Sequence, residues 1–154
     1  MLKGMKNIHF VIAGPPSNQD IVIRREIKGQ SNISYVGTVS DEEKIMLIKA
    51  SYLNILLSRM EALGLTQLEF MYGGNPIITS AVGGQGWLVR NGVEGIHVKG
   101  PNDIVGAAEA IKKLVNNPEL HDEIGANART RAEEFTLSKI TTDLISHLKS
   151  LLAS

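Results

Sequence analysis

Tyr52-Leu53-Asn54-Ile55-Leu56-Leu57, then Ser58-Arg59-Met60-Glu61-Ala62-Leu63-Gly64, then Leu65-Thr66-Gln67-Leu68-Glu69-Phe70-Met71-Tyr72 is the stretch on which the reading of the chain turns. The opening run is short and apolar, the pattern of a buried strand, and Leu65, Leu68 and Met71 or Tyr72 recur at helical spacing, which predicts a helix over 65–72. The segment between them is then a strand-to-helix loop. Gly64 permits a sharp turn and a close backbone approach to a ligand, and the N–H groups of Gly64, Leu65 and Thr66 have no acceptor within the helix they open. Such a helix start is a seat for an anion, suited to phosphate. Glu61 stands in the loop and Glu69 about one turn into the helix, with seven residues between them. A side chain at that helical position leans back toward the N-terminus, so the Glu69 carboxylate can accept hydrogen bonds from a diol beside the phosphate, as on a ribose. Glutamate is common in first turns because it complements the helix dipole, so the pair draws its weight from its surroundings.

Outward from this stretch, strand-like and helical patterns alternate, the signature of a parallel sheet with crossover helices. Upstream, Ile8–Ala13 reads as a strand closed by Gly14-Pro15-Pro16, Gln19–Lys28 as a helix ending at Gly29, and Ile33–Val36 as a second strand. Ser40 and Glu43 form a capping box for a helix of Asp41–Lys49, whose apolar face is Ile45, Leu47, Ile48 and Ala50. Leu53–Leu57 is the third strand. Downstream, Pro76–Thr79 and Gly95–Val98 are strands, and the last third is helical: Asn102 or Asp103 caps Ile104–Asn116, Pro118 opens a helix to about Glu134, and Thr136 caps Leu137–Leu152. That last helix carries a stripe of Ile140, Leu144, Ile145, Leu148, Leu151 and Leu152, which calls for a partner surface. The absence of repeats or linkers makes residues 1–154 read as one domain.

In open sheets of this kind ligands bind beyond the carboxyl ends of the strands. Loops at that edge are rich in glycine: Gly14-Pro15-Pro16, Gly37-Thr38-Val39, Ser58–Gly64 and Ser80–Gly86, a set that suggests a nucleotide-sized crevice.

Composition bounds the function. The chain has 154 residues, 43% of them hydrophobic, enough for one continuous core. Its 16 basic residues balance 16 acidic ones, so no global field gathers nucleic acid or anionic lipid, and an anion site must be local. Without cysteine there are no disulfides, thiol nucleophiles or thiolate zinc sites. Met1–Lys6 lacks the apolar core of a signal peptide and no run reaches transmembrane length, so the expected location is the cytoplasm. The P-loop pattern is absent, and Gly84-Gln85-Gly86 lacks the third glycine and the downstream acidic residue of a dinucleotide site, which argues against NAD. His9, His97, His121 and His147 have no metal-ligand spacing; the first two read as half-buried strand residues, the others as solvated helix residues. Asn32-Ile33-Ser34 matches a glycosylation acceptor but has no secretory context.

Taken in order, several segments resemble the C-terminal, donor-binding half of retaining GT-B glycosyltransferases, the glycosyl transferases group 1 family. They are Val11–Pro15, Val36–Glu43, Ser58–Glu69, Gly74–Thr79, Val82–Gly84, Asn91–Gly95 and Glu133–Thr136, so that the likeness runs from about Asn7 to Leu152. The resemblance implies a Rossmann-like α/β domain, a parallel sheet flanked by helices, lacking the first strand of the family's C-terminal half. It implies transfer of a hexose from a nucleoside-diphosphate sugar, a GDP- or UDP-sugar, with retention of configuration and without a catalytic metal. Glu61 would face the donor sugar as the catalytic residue. Ala62, Leu63, Gly64, Leu65 and Thr66 would hold sugar and diphosphate, Glu69 the ribose, and Gly14, Thr38 and Val39 would lie near base and phosphates. Family members usually carry Gly-Phe where Ala62-Leu63 stands, and commonly glutamate near Trp87. The basic pair that neutralises the diphosphate has no counterpart here, Lys3 and Lys6 not matching it. The partner implied is an N-terminal acceptor-binding domain, which would pack on the last helix and carry any membrane association; without it the chain is expected to bind donor weakly and transfer nothing. The rivals are a nucleotide- or partner-binding module without catalysis and an epimerase sharing the half-fold, the latter disfavoured by the glutamate spacing.

Overall fold

The computed structural model describes residues 7–152. Lys3 and Lys6 lie outside them. The chain divides into two compact units, Met1–Lys49 and Ala50–Ser154.

The first unit holds β1 (Phe10–Ala13), α1 (Asp20–Glu26), β2 (Ile33–Gly37) and α2 (Asp41–Ala50), which ends at the boundary. β1 and β2 pair in parallel, Phe10 opposite Ile33 and Ile12 opposite Tyr35. The expected strand from Ile8 starts two residues later, where the Phe10 N–H first finds a cross-strand acceptor, the Asn32 carbonyl, at 2.8 Å. The capping box forms as expected: Ser40 N–H donates to Glu43 Oε2 at 2.7 Å and Glu43 N–H to Ser40 Oγ at 3.2 Å. Burial departs from the sequence reading. Among the described residues of this unit Ile48 alone is buried, while Val11, Ile12, Val36, Ile45 and Met46 are exposed.

The second unit is built on a three-stranded parallel sheet of order β3-β4-β5, with β3 (Asn54–Leu56), β4 (Ile77–Thr79) and β5 (Gly95–His97). Each β4 residue is buried, as a central parallel strand covered on both faces must be. Around the sheet lie α3 (Leu65–Tyr72), α4 (Gln85–Leu88), α5 (Ile104–Val115), α6 (Pro118–Glu133) and α7 (Leu137–Leu152). The core joins Met71 of α3, Ile77 of β4, Leu88 of α4 and its successor Val89, and Ala128 and Ala132 of α6, with Leu63, Leu68, Phe70 and Phe135 packed against it. Gly125 of α6 meets the Gly74 carbonyl so closely that a side chain has no room, which lets the start of β4 lie against that helix. Asp103 caps α5 through Gly106 N–H at 2.9 Å, and Asn117 caps α6 through Leu120 N–H at 3.1 Å ahead of Pro118 at the first helical position. α7 spans the range the sequence predicts, and none of its residues is buried.

Two histidines differ from their sequence reading. His9 precedes β1 and is exposed, with Nε2 2.8 Å from Ser34 Oγ. His121 is not a solvated helix residue: its ring stacks on Tyr52 at 3.7 Å and 12°, and Nε2 donates to the Tyr52 carbonyl at 2.7 Å. The stack ties α6 to the segment that enters β3.

Candidate active site at the start of the third helix

The loop after β3 delivers Glu61 and the residues that follow to the N-terminus of α3, and their conformation follows from local chemistry. Gly64 is the N-cap, at φ 91° and ψ 61°, a left-handed conformation open to glycine at little cost. Its carbonyl accepts from Leu68 N–H at 3.0 Å, so the helix proper begins at Leu65 with its first-turn N–H groups unclaimed by the helix. No side-chain oxygen caps this end. The Glu61 carboxylate, half-buried, accepts from the Ala62 N–H at 3.2 Å.

A second loop braces the first. Gly84 N–H donates to the Glu61 carbonyl at 3.2 Å, and the Cα atoms of Gly83 and Gly84 press on the backbone of Glu61 and Ala62 so closely that neither position admits a Cβ. The double glycine of the Ser80–Gly86 loop is thus a packing requirement of the glutamate loop. Ser80 Oγ donates to the Ser58 carbonyl at 2.7 Å, tying both loops at the strand ends, and lies 3.2 Å from Gln85 Oε1.

The structure gathers Glu61, Ala62, Leu63, Gly64, Leu65, Thr66 and Glu69 into one loop-to-helix segment of the second unit. Ala62, Leu65 and Thr66 are exposed, Leu63 and Glu69 half-buried and Gly64 buried. Of the residues expected to pack α3, Leu68 and Met71 do face the core, whereas Leu65 and Tyr72 are 68% and 55% exposed; the inward stripe is Gly64, Gln67, Leu68 and Met71. The helical period is the expected one, with Gly64 and Gln67 rather than Leu65 completing the stripe. Sequence reasoning missed Gln67, fully buried, because it weighed hydrophobicity alone; the signal available was an amide at the third helical position after a glycine cap, where such a side chain turns back toward the cap. It also missed α4, whose four residues give too short a pattern to register.

Gly14, Thr38 and Val39 belong to the first unit. Gly14 follows β1 and donates its N–H to the Gly37 carbonyl at 2.9 Å; Gly37 takes φ 72°, and behind it Thr38 is exposed and Val39 half-buried. Among the described residues no His, Asp and Glu side chains gather into a group fit to hold a metal ion, and no helix is long and apolar enough to cross a membrane.

Comparison with known proteins decides the family. The profile of the glycosyl transferases group 1 family matches residues 2–131. The chain belongs to this family. Over 148 residues it is 30% identical to the O-antigen chain mannosyltransferase C of Escherichia coli, covering 94% of this chain and 40% of that protein. Among solved structures, Anabaena HepE in complex with UDP-glucose superposes with a TM-score of 0.82 at 23% identity, over 94% of this chain and 42% of the other. The C-terminal domain of the group 1 family protein LpcC of Francisella tularensis gives 0.76 at 20% identity, over 87% and 72%. This member of the family therefore has the Rossmann-like architecture of a GT-B C-terminal half, and it spans about two fifths of the mannosyltransferase it matches.

Proposed function

We propose that the chain is the donor-binding part of a retaining glycosyltransferase that moves a hexose from a nucleoside-diphosphate sugar, a GDP- or UDP-sugar, to an acceptor. The observation that carries the reading is the uncapped start of α3, turned by left-handed Gly64 and placed between Glu61 and Glu69. In the reaction the bond between the anomeric carbon and the diphosphate oxygen breaks, negative charge collects on the leaving diphosphate, and the acceptor hydroxyl oxygen bonds to the same face of that carbon while its proton passes to the departing diphosphate oxygen. Preorganised N–H groups at a helix start stabilise that charge without reorganising during the step. The N–H groups from Gly64 to Thr66 would hold the sugar and diphosphate, Ala62 and Leu63 would line the sugar's approach, and Glu61 would face the donor sugar. Glu69 would accept hydrogen bonds from the ribose hydroxyls. The UDP-glucose bound by HepE supports a sugar nucleotide as the ligand class. No catalytic metal is invoked; an acceptor-binding half in the same or another chain completes the enzyme, and the chain alone transfers nothing.

Calorimetry with UDP, GDP, ADP, their sugar conjugates and inorganic pyrophosphate tests this. Weak binding of one nucleoside diphosphate is expected. Glu69→Ala should lower that affinity roughly tenfold or more, the scale of a charge-assisted hydrogen bond, and leave pyrophosphate binding unchanged. A folded chain that takes up none of these ligands overturns the reading.

A further inference from the structure

Gln67 is the one feature of the α3 start that the proposed chemistry leaves unused. It lies at the third helical position, fully buried, and neither Oε1 nor Nε2 has a hydrogen-bond partner among the described residues. Oε1 occupies the space a side chain on residue 64 would need: a Cβ there would sit 2.6 Å from it. The amide therefore fills the hollow under the Gly64 Cα. A buried donor and acceptor left unpaired are unfavourable, and an apolar side chain of similar volume would remove the penalty. Keeping an amide there implies a state in which it is paired. In a capping box a glutamine at this position closes on the cap residue while the cap side chain serves the helix N–H groups; Gly64 has no side chain, so that second half of the box is open to an oxygen from outside.

We infer that Gln67 is a positioning residue for the anion seat: it supports the left-handed Gly64 turn from beneath and gains its missing hydrogen bonds from that turn only when a diphosphate supplies the oxygen the glycine cap lacks. The inference rests on the donor-binding reading and adds that ligand-free folding and ligand binding place opposite demands on one side chain.

Gln67→Met, and Gln67→Leu as a second shape, separate the two demands. Thermal unfolding of the ligand-free chain should shift upward by about 3 °C or more in at least one of them, as the loss of unpaired polar groups predicts. Calorimetry of the same variants should show roughly tenfold weaker binding of both the preferred nucleoside diphosphate and pyrophosphate, whereas Glu69→Ala affects only the former. A variant as stable as or more stable than wild type that binds with wild-type affinity overturns the inference while leaving the donor site standing. A loss of stability in both variants overturns it too, since the amide would then be paired in the ligand-free fold. Wild-type chain that binds neither ligand rejects the donor-binding reading and this inference together.

Discussion

At the scale of single residues, backbone space explains more of this site than charge does. Gly83 and Gly84 are required because the loop bearing Glu61 lies against them, and Gly83 in addition takes φ 61°. Gly84→Ala would drive a methyl group into the Ala62 carbonyl, so it should destabilise the chain by about 1–3 kcal/mol in urea unfolding, with amide shifts centred on residues 61–63. A variant of unchanged stability would mean that the two loops separate freely. His121 presents a different economy. Its stack on Tyr52 and its bond to the Tyr52 carbonyl bridge residues far apart in sequence, and His121→Ala should lower stability by about 1–2 kcal/mol. Glu61 and Glu69 were legible in the sequence as residues on a loop and about one turn into the helix that follows. Gln67 was not read as buried, because its polarity outweighed the one signal available, its place at the third helical position after a glycine cap.

At the scale of elements, the caps decide where helices begin and leave a signature in pH. Asp103 accepts from the N–H groups of Gly106 and Lys99, and these bonds hold its carboxyl below the ordinary value of 3.8. A carboxyl depressed in the folded state stabilises the fold fully above its unfolded value and loses that contribution as pH falls through the folded one. Wild type should therefore lose melting temperature below about pH 4 more steeply than Asp103→Asn, which keeps a capping oxygen but cannot ionise. Parallel melting curves from pH 6 to pH 2.5 check this; coincident slopes would remove the cap from the acid response. Asn117→Ala at the start of α6 should cost about 1 kcal/mol with no such pH dependence. Most element bounds were readable for the same reason: capping residues, proline at a helix start and glycine at a turn act through bonds spanning only a few positions. The short helix α4 escaped because it is fixed by its contact with the glutamate loop and by Leu88 in the core, not by a periodicity of its own.

At the scale of the whole molecule, apolar burial is concentrated in the second unit, where Met71, Ile77, Ile78, Leu88, Val89, Leu114 and Ile124 are at most 1% exposed. Each such side chain contributes about 1.5–3 kcal/mol, whereas the first unit buries Ile48 alone among its described residues. Hydrogen exchange should accordingly find the β1 and β2 amides opening at much lower free energy than those of β4; equal protection would contradict this distribution. What the sequence determined by itself is the alternation of strands and helices, their approximate limits, a sharp turn at Gly64 and the placing of two glutamates around a helix start, because torsional preference and capping bonds are satisfied among near neighbours. Only the tertiary structure decided which side of α3 faces inward, that the double glycine braces the glutamate loop, and that His121 leaves solvent for Tyr52. Those outcomes depend on surfaces brought together from distant parts of the chain, Met71 against Ile77 and Ala128 above all, and the facing of α3 that makes that contact leaves Gln67 buried and Leu65 exposed.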